Sequence, residues 1–142
     1  MNTMGDDAVL IDAAVPLHAV GEPGPRHTAS QRLLARLASG KGRAYASTEM
    51  IQEFGHHRLR RTGDRVRATR EARYLSSLVV LLDFDREVLD LSLELIERTG
   101  IRGRDAVHAA TALAYGIGKI ASPDPAFDGI PGLTRIDPLA SA

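Results

Sequence analysis

Ala8-Val9-Leu10-Ile11-Asp12 is the stretch that decides the architecture. Four apolar residues in a row suit a short strand buried on both faces, as in a parallel sheet covered by helices, and Asp12 ends the run with a charge. Residues 13–19 are predicted to turn straight into a helix, and Gly21-Glu22-Pro23-Gly24-Pro25 to form a loop. A second helix is expected from Thr28 or Ser30, with Leu33, Leu34, Leu37 and Ala38 at helical spacing, ending near Gly40-Lys41-Gly42. Residues 43–46 read as a brief strand, and Ser47 as the N-cap of a helix bearing Met50, Ile51 and Phe54 that runs to Thr62-Gly63. Beyond it the pattern predicts a helix over 64–77, a buried strand over 78–83, and helices over 85–98 and 103–115. Short strands over 118–121 and 133–136 complete the chain. Strands alternating with helices, without internal repeats, imply an α/β sandwich with a mostly parallel sheet. Ligands in such folds collect at the carboxyl ends of strands, where Asp12 and Asp124 stand.

Composition limits the rest. A chain of 142 residues that is 44% hydrophobic can bury one sizeable core, so a single domain over 1–142 is expected. Aromatic residues make up 4%, which leaves the core to Leu, Val, Ile and Ala. With no cysteine, disulfides and thiolate metal sites are excluded, in keeping with a reducing cytoplasm. Residues 1–7 lack a basic stretch followed by an apolar one, and no apolar run reaches membrane-spanning length, so a soluble cytoplasmic protein is expected.

Net charge is zero, yet its parts are segregated. Arg58, Arg60, Arg61, Arg65, Arg67, Arg70 and Arg73 are offset locally only by Asp64 and Glu71, whereas Asp83, Asp85, Glu87, Asp90, Glu94 and Glu97 face the lone Arg86. The guanidinium fork matches phosphate oxygens, which makes the basic segment, with Arg58, Arg61 and Arg65 in it, a candidate nucleic-acid contact. A solvated helix face explains the same run without function.

Four acids stand where a charge is hard to place: Asp12 after the first strand, Glu53 within a helix, Asp105 opening an alanine-rich helix, and Asp124 after a late strand. Each has an ordinary explanation alone. Asp12 can cap a helix, Glu53 can lie on an amphipathic surface, Asp105 can answer a helix dipole, and Asp124 in Ser122-Pro123-Asp124-Pro125 can form a turn. Together, converging carboxylates need a cation between them, and oxygen-only ligation suits Mg²⁺ or Mn²⁺, which can activate water against a phosphodiester. His108, one turn after Asp105, reads more simply as a packed histidine than as a group that orients a carboxylate. His56-His57 has no partner at zinc-ligand spacing.

The order and framing of these acids resemble the PIN domain from about residue 8 to about 138. Val9-Leu10-Ile11-Asp12 looks like the family's opening. Ser47-Thr48-Glu49-Met50-Ile51-Gln52-Glu53 is similar to its serine followed by a helix with the second acid, which assigns that acid to Glu53 rather than Glu49. Arg104-Asp105-Ala106-Val107-His108-Ala109-Ala110 resembles the segment around the third acid and is the most specific match. Ser122-Pro123-Asp124-Pro125-Ala126-Phe127-Asp128 resembles the hydroxyl-x-Asp-x-x-Phe element of the fourth, with Asp128 a candidate to assist or replace Asp124. Ala13 and Ala14 depart from the pattern, which has Ser or Thr and then Asn or Ser after the first acid.

Size and order resemble in particular the VapC-like toxins of toxin-antitoxin pairs. The resemblance implies a three-layer sandwich with a four- to five-stranded sheet, RNA cleavage with Mg²⁺ or Mn²⁺ held by Asp12, Glu53, Asp105 and Asp124, inhibition by a VapB-like antitoxin, and a homodimer. The alternative is a PIN-like module that binds RNA or protein without cutting. A phosphotransfer receiver is disfavoured because Asp6-Asp7 precede the first strand, and a haloacid-dehalogenase-like phosphatase because Ala14 stands where a second aspartate is required.

Overall fold

The computed structural model describes residues 7–140. The N-terminal stretch read above as carrying no leader lies outside them, apart from Asp7, as do residues 141–142. The first strand is β1 (Ala8–Ile11), all four residues buried, followed by the short helix α1 (Ala14–Ala19). Next come α2 (Pro25–Ala38), β2 (Arg43–Ser47), α3 (Thr48–Thr62), α4 (Arg65–Leu78) and β3 (Val80–Leu82). The second half contains α5 (Arg86–Arg98), α6 (Gly103–Ala114), β4 (Lys119–Ala121), a 3₁₀ turn over Pro125–Phe127 and β5 (Thr134–Ile136).

All five strands are parallel, in the order β3-β2-β1-β4-β5. The apolar run of β1 thus takes the central place, with side chains going both ways. Val9 and Ile11 join Leu33, Met50, Phe54 and Leu75 from α2, α3 and α4. Ala8 and Leu10 join Tyr45 and Ile120 under Val88, Leu95, Ala106, Ala109 and Ala110 from α5 and α6. The result is the expected sandwich of helices, sheet and helices. Alanines at four buried positions of α6 let that helix lie close to the strands. Among the described residues no helix is long and apolar enough to cross a membrane.

Two sequence expectations need correction. Helix α2 starts at Pro25, earlier than Thr28 or Ser30, because proline is tolerated at a first helical position whose N–H has no partner there anyway. The predicted buried strand over 78–83 is a three-residue edge strand, with Val80 and Leu81 exposed by 47% and 40%. It pairs with β2 on one side only, and an apolar run reads alike whether the strand is central or at an edge.

Candidate active site

The chain leaves β1 toward β2 on one side and returns later to place β4 on the other, so the sheet has a switch point between β1 and β4. Asp12 and Ser122 stand on either side of it, immediately after the two strands. The Asp12 backbone N–H donates to the Ala121 carbonyl at 3.0 Å, continuing the β1–β4 ladder by one residue. Its side chain is buried, and the Ser122 hydroxyl donates to Asp12 Oδ2 at 2.7 Å. Ser122 Oγ also accepts the Asp124 backbone N–H at 3.0 Å. One hydroxyl therefore ties the first and fourth acids together. Burial lifts the Asp12 carboxyl above its ordinary value, and His108 and the Ser122 hydroxyl pull it part of the way back.

Glu53 projects from α3, whose start is fixed by Ser47 accepting the Met50 N–H at 3.0 Å, the predicted N-cap. Its Oε1 lies 3.0 Å from His108 Nε2, and His108 Nδ1 lies 3.0 Å from Ser47 Oγ. Burial works to raise the Glu53 carboxyl, but the His108 hydrogen bond, with His108, Arg104 and His57 nearby, outweighs it and holds the group below its usual value. Asp105, in the first turn of α6, behaves oppositely. Burial, then the charges of Asp12 and Asp124, with Glu53 adding to them, push its carboxyl up to about 6. Asp124 is exposed and caps the 3₁₀ turn by accepting the Ala126 N–H at 2.9 Å.

The structure thus brings Asp12, Glu53, Asp105 and Asp124 to one edge of the sheet. Among the described residues no three such side chains meet as a ready-made metal cage. Hydrogen bonds from His108, Ser122 and Ala126 hold oxygens of three of the acids. The donor set still fits a hard divalent ion. It offers only carboxylate oxygens, and Asp105, raised first by burial and then by the charges of Asp12, Asp124 and Glu53, stands in negative charge that a cation would relieve.

Asp128 does not join the cluster. Arg135 Nε and Nη2 grip its two oxygens at 2.9 and 3.2 Å, so the expected stand-in for Asp124 is a surface partner of arginine, its carboxyl held low by that contact. Arg58 is likewise withdrawn from the candidate RNA contacts. Its side chain is 8% exposed and its Nε donates to Glu71 at 3.0 Å, which ties α3 to α4. Arg61 and Arg65 are exposed, with Arg61 Nη2 2.8 Å from Glu22. Beside Arg61, a cleft of about 660 Å³ is lined by Leu17, His18, Arg26, His27 and His57, and begins one helical turn beyond Glu53.

Sequence reasoning passed over Ser122 and Ser47 as site residues. The first had a visible sign in the hydroxyl-x-Asp spacing. The second was absorbed by its capping role, which hides its second bond. His108 is packed, as expected, with 0% exposure, and it also touches an acid of the cluster.

A parallel α/β sandwich with four acids at the carboxyl edge, just after β1, on α3 and α6 and in the turn after β4, defines a class of protein as well as a geometry. A model of the PIN domain matches residues 9–133, and the chain belongs to the PIN-domain family. Within that family its relatives are VapC ribonucleases. Ribonuclease VapC7 of Mycobacterium tuberculosis is 30% identical over 94% of this chain and 93% of its own length, and Ribonuclease VapC13 of the same organism is 26% identical over 90% and 98%. The fold is shared with a toxin-antitoxin complex from Klebsiella pneumoniae, with a TM-score of 0.70, 16% identity, and 92% of this chain and 97% of that chain covered.

Proposed function

We propose that this chain is a divalent-metal-dependent endoribonuclease of the VapC type, with Asp12, Glu53, Asp105 and Asp124 as its metal-binding acids. The observation that carries the reading is the crowding of Asp105 by Asp12, Asp124 and Glu53 at the switch point of the sheet. A bound Mg²⁺ or Mn²⁺ would supply an activated water and offset charge on the leaving oxygen. The chain's own part is to hold that ion's ligands. Ser122 fixes Asp12 and the loop of Asp124, α6 carries Asp105, and His108 restrains Glu53. Arg61, Arg65 and Arg26 on the wall of the cleft beyond Glu53 guide the RNA backbone. Low aromatic content argues against a stacking platform, so looped or single-stranded RNA recognised by shape is the expected substrate.

The toxin reading adds a VapB-like antitoxin that fills a groove with a helix and sends an arginine onto the acids, and a homodimer. Its support is the family and the fold shared with a toxin-antitoxin complex. The non-cleaving module is the second reading, favoured by Ala13 and Ala14 beside Asp12 and by the absence of a ready-made cage among the described residues. Purified protein incubated with RNA in Mg²⁺, in Mn²⁺ and in EDTA separates them. New 5′ ends that require the metal and vanish in Asp12→Asn support the nuclease, and binding without new ends selects the module.

A further inference from the structure

Ser47, His108 and Glu53 come from β2, α6 and α3 and form an unbroken chain of hydrogen bonds. Ser47 and His108 both have 0% exposure, so no solvent completes their bonding. The inventory of donors fixes its direction. Ser47 Oγ already accepts the Met50 N–H at 3.0 Å, which leaves its own proton to donate. The atom in reach is His108 Nδ1 at 3.0 Å. A ring nitrogen that accepts carries no proton, so the imidazole proton sits on Nε2, which faces Glu53 Oε1 at 3.0 Å. The opposite tautomer would set a bare nitrogen lone pair against a carboxylate. That tautomer, and equally a ring protonated at both nitrogens, would also leave the buried Ser47 proton without its acceptor.

We propose that Ser47 and His108 are positioning residues for Glu53: the serine hydroxyl fixes the histidine as its Nε2–H tautomer, and that N–H clamps one oxygen of the Glu53 carboxylate beside Asp12. The inference rests on the nuclease reading for what Glu53 holds. Asp12 Oδ1 lies 3.9 Å from the same Nε2, so the ring also sets how closely the two acids approach. The arrangement is the carboxylate–histidine wiring that orients metal ligands in other proteins, here with the carboxylate rather than the imidazole nearest the cation. The N-cap serine of α3 thereby acts on the site through two hydrogen bonds, beyond its effect on the helix.

The test begins with the tautomer, read in the metal-free full chain by long-range proton–nitrogen correlation of ¹⁵N-labelled His108 near neutral pH. Wild type and Ser47→Thr, which keeps the hydroxyl, are expected to show a protonated Nε2 and a bare Nδ1. Ser47→Ala removes both cap and hydroxyl. Ser47→Gly also removes the hydroxyl but is a tolerable cap, and it keeps the experiment readable if the alanine variant unfolds. In both, the proton should redistribute between the nitrogens and Mn²⁺ affinity should fall about 10- to 100-fold, with kcat lowered and KM for RNA unchanged. Mn²⁺ affinity equal to wild type in a folded Ser47→Gly protein overturns the proposal. So does a wild-type His108 protonated at Nδ1 or at both nitrogens, and in a protein that cleaves RNA this outcome leaves the nuclease reading standing. The expected tautomer in a wild-type protein that binds no Mn²⁺ overturns both.

Discussion

Replacing Asp105 by Asn should stabilise the metal-free protein near neutral pH, even though it takes an acid out of the first turn of a helix. Two effects compete. The α6 dipole favours a negative charge at Asp105 by about 0.5 kcal/mol. Against it, burial and the charges of Asp12, Asp124 and Glu53 raise the carboxyl from 3.8 to about 6. A carboxyl so raised binds its proton more tightly in the folded than in the unfolded chain. Stability is therefore greatest below 3.8 and is lost as pH rises through about 6. At about 1.36 kcal/mol per unit, full linkage would reach about 3 kcal/mol. Asp105 is only partly buried, and screening by solvent reduces this to about 1.5 kcal/mol. Burial and repulsion together thus exceed the dipole by about 1 kcal/mol, or roughly 3 °C in Tm for a chain of this size. Thermal unfolding followed by circular dichroism in EDTA reads the difference directly. Asp105→Asn should melt higher than wild type at about pH 8, and the gain should vanish near pH 4, where the wild-type carboxyl is protonated. A variant that melts lower at the higher pH, or one whose gain is equal at both, refutes the burial and crowding of Asp105.

In saturating Mg²⁺ the order should invert, because a cation that binds only the folded state stabilises the wild type more than Asp105→Asn, as melts with and without the metal will report. Asp12→Asn should lower metal-dependent RNA cleavage by roughly 100-fold or more at unchanged fold, measured as initial rates at saturating Mn²⁺. Ser122→Ala should cost about 1–2 kcal/mol in urea unfolding, since it strips a hydrogen bond from buried Asp12 and leaves the Asp124 N–H without its acceptor. Arg61→Ala with Arg65→Ala should reduce the salt dependence of RNA binding by about one unit of slope per lost phosphate contact. Arg58→Ala should leave that slope alone and instead destabilise the protein by about 2 kcal/mol, because it cuts the buried α3–α4 link and leaves Glu71 only the longer contact with Arg67 at 3.6 Å.

Much of the sheet was legible because its strands are short apolar runs bounded by turn formers, and parallel order follows from the helices between them. Where reading failed, the sequence was locally degenerate. Leu78 to Leu82 is equally apolar as a central or an edge strand, and only its lack of a second neighbour decides. Pro25 can close a loop or open a helix. The four acids were singled out by their spacing and framing, whereas the partners of Arg58 and Asp128, Glu71 and Arg135, lie 13 and 7 residues away with no periodic relation to them. The bonds of Ser47 and Ser122 span 61 and 110 residues, a separation at which a single sequence carries no pairing information.

Among the five described strands the central one is synthesised before the others, and one of its two neighbours is the fourth. β1 pairs with β4, and Asp12 receives its hydroxyl from Ser122. A chain growing on the ribosome, amino end first, carries Asp12 through most of translation without the residue that seats it. Glu53 waits in the same way for His108, and Asp105 arrives only with α6. The four acids consequently cannot converge until α6 and the turn after β4 have been made. An architecture of this kind keeps its acids apart during synthesis simply by the order of its own residues.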